Sequence, residues 1–223
     1  MPPTPIRFYF DYISPNAYLA WTQLPRLAEK YGRTVEPVPI LYAALLDANG
    51  QLGPGEMPAK GRWMAKNNLR KAALVGVTLN PPAFLPFNPL LALRVTTVAL
   101  GMHEGTALIS ALFEAVWVHG MHLSESGVVE RVASDAGLDG ARLVAEADDP
   151  EIKAELRRRT DEAIALGVFG VPTVVAGDDL FWGYDDFPQL EMVLAGKDPV
   201  TPAVWQKWTA PVPASASRRR FRS

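Results

Sequence analysis

Phe8-Tyr9-Phe10-Asp11-Tyr12-Ile13-Ser14-Pro15-Asn16-Ala17-Tyr18 decides the fold, because an apolar strand runs here into a helix with only a short turn between them. Residues 6–10 are an aromatic and β-branched run of strand length. Ser14-Pro15 then supplies the two preferred residues of a helix start, a side-chain oxygen at the N-cap and a preset φ at the first helical position. From Tyr18 the apolar positions fall at Trp21, Leu24, Leu27, Ala28 and Tyr31, a helical stripe that stops at Gly32. Pro25 lies inside that stripe and is expected to kink it, at a cost of roughly 3 kcal/mol. A helix N-terminus presents unpaired N–H groups and a partial positive charge, so it favours an anion, and a thiolate is one such anion. Ser14 is therefore either a cap alone or a group that also faces a bound anion.

Working outward, residues 34–40 read as a second strand, confined to a sheet edge by Pro37 and Pro39 and parallel to the first because a helical crossover joins the two. Residues 47–57, rich in Gly, Pro and Asn, read as a loop. Residues 58–75 read as a helix, with Trp63, Met64, Leu69, Ala72, Ala73 and Leu74 on apolar faces and Lys60, Arg62, Lys66, Arg70 and Lys71 as a solvated face. Residues 80–89 hold four prolines and cannot be helical. Helical spacing returns over 89–102, 106–119, 124–136, 141–147 and 150–166, with Ser124 and Asp149 as caps. Strand signals reappear only at 172–176 and 180–182, turned by Gly177-Asp178-Asp179. Asp185 reads as the cap of a last helix carrying Phe187, Leu190, Val193 and Leu194.

The order is βαβ, a helical block, then ββα. It predicts an α/β chain: a thioredoxin-like domain (residues 1–48 and 166–205) interrupted by a large all-helical insertion (49–165) and followed by a C-terminal tail (206–223). The arginines of that tail, Arg218, Arg219, Arg220 and Arg222, fit a disordered end.

Composition narrows the function. The chain has 223 residues, a net charge of −2 and no cysteine. The charge gives no reason to expect nucleic acid or an acidic membrane surface as a partner. The absence of Cys removes disulfides, thiolate metal sites and any self-contained dithiol redox reaction. No apolar window is long enough to span a bilayer, and residues 1–5 lack the basic and apolar segments of a signal peptide, so a cytoplasmic protein is expected. His119 and His122, with His103 and Glu104 earlier, have no spacing that fixes a third ligand, so no metal site is expected.

The segment from Phe10 to Tyr18 resembles the start of 2-hydroxychromene-2-carboxylate isomerases and kappa-class glutathione transferases, both of the DsbA-like branch of the thioredoxin fold. Four further pieces match in order: Pro58-Ala59-Lys60-Gly61-Arg62-Trp63-Met64, Pro86-Phe87-Asn88-Pro89, Gly167-Val168-Phe169-Gly170-Val171-Pro172-Thr173 and Phe181-Trp182-Gly183-Tyr184-Asp185. The likeness spans about residues 5–197.

The resemblance implies glutathione as cofactor, which brings the thiol that the chain lacks. It places Ser14 against the glutathione sulfur as the catalytic hydroxyl, and Val171-Pro172 at a cis-proline loop whose backbone receives the peptide. It assigns Gln51 and Lys60 to glutathione, and Tyr184 and Asp185 to the γ-glutamyl end. Pro172 as a strand-entry proline, Lys60 as a solvated side chain and Asp185 as a helix cap are the competing readings. The chain also departs from the family: many relatives have Asp-Arg where Asp185-Asp186 stands, so a cation is missing there, and Tyr184 replaces a smaller residue.

The leading expectation from the resemblance is a glutathione-dependent cis/trans isomerase acting on aromatic unsaturated acids by reversible thiolate addition. Tyr12, Trp63, Phe84 and Phe87 are candidates for the substrate slot, Lys60 or Lys66 for its carboxylate, and Asn88 for a polar contact. The alternatives are a kappa-like transferase that conjugates electrophiles, and a non-catalytic protein that binds glutathione or a small acid. The family also suggests a homodimer and a place in aromatic catabolism.

Overall fold

The computed structural model describes residues 4–212. Strand β1 (Ile6–Phe10) is central in a four-stranded sheet of order β2-β1-β3-β4. It pairs in parallel with β2 (Val35–Pro39) and antiparallel with β3 (Thr173–Ala176), which forms a hairpin with β4 (Asp179–Trp182). The two prolines of β2 sit on the edge strand, where a missing N–H costs no ladder bond toward a further neighbour. Both ends of the chain thus complete one sheet, the DsbA-like thioredoxin arrangement of mixed α/β structure.

Alternation along β1 gives the sheet two different faces. Ile6, Phe8 and Phe10 are fully buried in the larger core with α1 (Pro15–Lys30), α4 (Leu90–Ala99) and α5 (Gly105–Trp117), whereas Tyr9 packs on the other face with Ile40, Leu45 and Ala163. The rings of Phe8 and Phe10 stack at 5.4 Å, and Phe113 of α5 closes on both Phe10 (5.5 Å) and Tyr12 (4.8 Å). Each such ring contributes roughly 1.5–3 kcal/mol on burial. The aromatic run that marked the strand is therefore also what seats the helices on it. α1 continues through Pro25 without a break.

The other helices are α2 (Tyr42–Asn49), α3 (Pro58–Val75), α6 (Ser126–Asp135), α7 (Gly140–Glu146), α8 (Pro150–Ala165), α9 (Phe187–Leu194) and α10 (Pro202–Thr209). Several differ from expectation. Residues 47–49 belong to α2 and Pro54–Glu56 form a 3-10 turn, so the 47–57 segment is not all loop. The α2 N-cap, Leu41, makes no side-chain bond, and only Leu45 of the helix is buried, which left little local signal to read. Ser124 does not cap α6; its hydroxyl donates to the Asn88 carbonyl at 2.9 Å, and α6 starts behind Glu125. Asp149 does cap α8, accepting from Glu151 N at 2.7 Å.

α10 was not anticipated. Thr201 caps it by accepting from Val204 N, and it crosses the expected start of the tail at 206. The arginines of the tail lie outside the described residues. No helix among the described residues is long and apolar enough to cross a membrane.

α7 approaches α6 so closely that Gly140 is required: a Cβ there would stand 2.1 Å from the Glu130 carbonyl oxygen. A backbone atom cannot swing aside as a side chain can. Gly140→Ala is therefore expected to destabilise the fold by about 1–3 kcal/mol in urea unfolding, through overpacking. Unchanged stability would contradict the close helix contact.

Candidate functional site

The site begins at the turn between β1 and α1. Ser14 is extended (φ −97°, ψ 113°), and its Oγ accepts from Ala17 N at 3.1 Å, so the expected N-cap is formed, followed by Pro15. The first turn of α1 contains no acidic residue of its own, so the N–H groups at its positive end are not offset from within the helix. The same Oγ donates to the Val171 carbonyl at 3.3 Å, across 157 positions of sequence. The Val171-Pro172 bond is cis. Ser14, Val171 and Pro172 are thus brought together, at the junction of the chain's two ends.

The turn itself is fixed from several sides. Ser14 N donates to the Asp11 carbonyl at 3.2 Å. Trp117 of α5 donates its Nε1 hydrogen to the Tyr12 carbonyl at 2.9 Å. The Tyr12 hydroxyl lies 2.6 Å from Thr96 Oγ1, and because the Thr96 hydroxyl donates to the Ala92 carbonyl, Tyr12 is the donor between them. Tyr12 is fully buried and burial holds its phenol protonated, well above the usual tyrosine value. It is a core residue and not a wall of a substrate slot, which corrects that expectation. Phe87 is likewise corrected: it is 8% exposed and belongs to the main core.

Around the start of α1 lies a second group. Asn16 Oδ1 accepts from Tyr184 N at 3.2 Å, joining α1 to the 3-10 turn Tyr184–Asp186. Gly183, before that turn, has φ +79°, and a Cβ on it would come within 3.2 Å of Asn16 Nδ2. Glycine is favoured there by its positive φ, and the approach of the Asn16 side chain leaves little room for a Cβ. Asp185 does not cap α9; its Oδ2 pairs with Lys71 Nζ of α3 at 2.5 Å, and the N-cap position falls to Asp186, whose own carboxylate accepts from Trp182 N.

Lys71 is therefore not part of a solvated face. Its side chain is 10% exposed, whereas that of Asp185 is 60% exposed. Asn68, Lys71 and Ala72 are the buried residues of α3 and fall at i, i+3 and i+4, one face of the helix. α3 thus places a cation beside Asp185. Asn16 and Lys71 are candidate-site residues that sequence reasoning missed. The spacing of Lys71 with Asn68 and Ala72 was the available signal, but charge at position 71 pointed the other way.

The remaining candidates are less closely tied to this centre. Gln51, Lys60 and Lys66 are exposed, and among the described residues none hydrogen-bonds to Ser14, Asn16 or Asp185. Trp63 is 61% and Phe84 58% exposed, with the Phe84 ring tilted against that of His122 at a centroid distance of 4.5 Å. Asn88 is exposed, and its Oδ1 accepts from Leu90 N at 3.0 Å, an Asx turn that opens α4. Among the described residues no group of three or more His, Asp or Glu is placed to hold a metal.

Taken together, the site has a hydroxyl at a positive helix end, an adjoining carbonyl with a cis-proline, and an exposed carboxylate paired with a buried cation. These features sit on a DsbA-like thioredoxin fold. The sequence model of the DSBA-like thioredoxin domain matches residues 5–195, and the chain belongs to that family. Its relatives include enzymes of two kinds. A 2-hydroxychromene-2-carboxylate isomerase of Sphingobium xenophagum is 32% identical over 191 residues, covering 85% of this chain and 97% of the relative. Glutathione S-transferase kappa 1 of Homo sapiens is 24% identical, covering 97% of this chain and 98% of the relative. The solved structure of a 2-hydroxychromene-2-carboxylate isomerase superposes with a TM-score of 0.80 at 28% identity, covering 86% of this chain and 95% of that one.

Tyr12→Phe tests the reassignment of Tyr12. Removing a buried hydroxyl whose partner keeps another bond is expected to cost about 1 kcal/mol in chemical unfolding. The KM for any aromatic substrate should stay unchanged. A large rise in KM would return Tyr12 to the slot.

Proposed function

We propose that the protein is a glutathione-dependent isomerase of the 2-hydroxychromene-2-carboxylate type, acting on aromatic unsaturated acids. The observation that carries this reading is the Ser14 hydroxyl, seated at a helix N-terminus whose first turn holds no acidic residue and 3.3 Å from the Val171 carbonyl, in a chain that has no thiol of its own. When bound, glutathione supplies a thiolate that adds to the β carbon of a conjugated alkene, permits rotation about the resulting single bond, and leaves again.

The chain's own residues set the conditions for that chemistry. A free thiol with a pKa of about 8.5 is mostly protonated at neutral pH. A hydroxyl donor and a helix N-terminus both favour its ionised form. Ser14 can serve only if its proton is released from the Val171 carbonyl, and an extended peptide at Val171 offers that carbonyl an N–H in exchange. Binding of the peptide and arming of Ser14 are then one event.

Lys71 and Asp185 present opposite charges beside Asn16, a pairing suited to the zwitterionic γ-glutamyl end. Gln51 and Lys60 are proposed to reach the rest of the tripeptide. Trp63, Phe84, Lys66 and Asn88 remain the proposed substrate contacts. The proposal also takes the protein to be a cytoplasmic homodimer in aromatic catabolism.

A second reading rests on the near-complete coverage of the kappa-class relative: conjugation of an electrophile without the return elimination. Stable thioether adducts in a product screen separate it from isomerisation. Ser14→Ala is expected to lower the rate of trans-o-hydroxybenzylidenepyruvate interconversion with glutathione by about a hundredfold, as loss of one preorganised donor does. An unchanged rate would make Ser14 a helix cap only.

Lys71→Met is expected to weaken glutathione binding in calorimetry by about tenfold, since removing one partner of a half-buried ion pair leaves Asp185 unheld. Undiminished affinity would remove Lys71 from the site.

A further inference from the structure

Asp11 is 1% exposed, lies three residues before Ser14, and is given no part in the chemistry above. Its two carboxylate oxygens serve two different elements. Oδ1 accepts from Ile13 N at 3.1 Å, inside the turn, and Oδ2 accepts from Tyr42 N at 2.9 Å, at the first residue of α2. Its own carbonyl accepts from Ser14 N. One residue therefore ties the end of β1, the Ser14 turn and α2 together, and it does for α2 what the uncapped Leu41 does not.

Two donors converging on one side chain require two acceptors. A carboxylate provides them; the isosteric amide provides one acceptor and turns an NH2 group toward the other donor. This explains why an aspartate stands where a neutral polar residue would cost less to bury. Resting on the reading of Ser14 as a thiolate-stabilising hydroxyl, we propose that ionised Asp11 is the positioning residue of the site: it holds Ser14 at the helix start, and taking up a proton lets the turn and α2 loosen.

The surroundings make that proton exchange accessible. Burial raises the Asp11 pKa to about 7, against the backbone N–H groups of Tyr42, Ile13 and Tyr12, which lower it. The titratable side chains that sense its charge are Tyr12 on its own turn and Tyr42 on α2, and burial keeps the proton on both. Glu56 acts on Tyr42 and is itself bonded to Gly53 N. From α8 the neutral Thr160 hydroxyl accepts from Leu41 N, the residue before Tyr42. Because the folded value lies above that of an unfolded Asp, stability from this group falls as pH rises from about 4 to about 7. The ordered Ser14 turn is gained over the upper part of that range. The fold thus gives up stability to hold its site in place.

The experiment follows backbone amide signals of the isotope-labelled full chain by NMR between about pH 5 and about pH 9, a window that brackets the titration. The Ile13, Ser14 and Tyr42 amides should shift together with a midpoint near 7, and that transition should be absent in Asp11→Asn. The same variant should lose about tenfold in rate above neutrality, the equivalent of one buried hydrogen bond, and lose the limb of the rate profile near 7. Amides that do not move in the wild-type protein overturn the clamp, even if the variant fails to fold. An Asp11→Asn profile matching the wild type overturns the positioning role. Failure of glutathione to bind would strike the thiol reading instead and would leave the amide titration as it is.

Discussion

The structure depends on one constraint: the four-residue turn after β1 must deliver a serine hydroxyl to the open end of α1. Every element near it contributes to that. Asp11 holds the turn to α2, Trp117 of α5 holds the Tyr12 carbonyl, and Thr96 of α4 takes the Tyr12 hydroxyl. Buried polar groups are expensive unless paired, so each of these bonds fixes a position as well as satisfying a group. The aromatic stack of Phe8, Phe10, Tyr12 and Phe113 then locks the helices that supply the partners.

The second constraint is topological. The chain leaves the sheet after β2, builds a helical segment, and returns to place Val171 opposite Ser14. A contact across 157 positions needs both ends of the chain in one sheet, which the β1–β3 pairing provides. The helical segment is not only a bridge. Through Lys71 it sends a cation back to Asp185, so the charged end of the site requires α3 and the returning chain together.

Much of this was legible in the sequence because local rules and global packing agree there. The strand at Ile6–Phe10, the cap at Ser14, the edge position of the proline-bearing strand and the hairpin after Pro172 all follow from periodicity and turn chemistry. What was not legible is what depends on partners distant in sequence. α2 escaped because its capping group is Asp11, thirty-one positions away. Asp185 looked like a cap because a carboxylate before a helix usually is one; its true partner lies 114 positions off. Tyr12 and Phe87 looked available for a substrate because aromatic side chains in turns carry no mark of which way they face, and both proved to be core.

The central claim is that the helix start and Ser14 favour a borrowed sulfur in its ionised form. Ultraviolet absorbance of the thiolate, titrated on glutathione bound to the wild-type protein, tests it most directly. The account predicts a pKa well below the free value of about 8.5; a bound thiol that titrates at its ordinary value would contradict it.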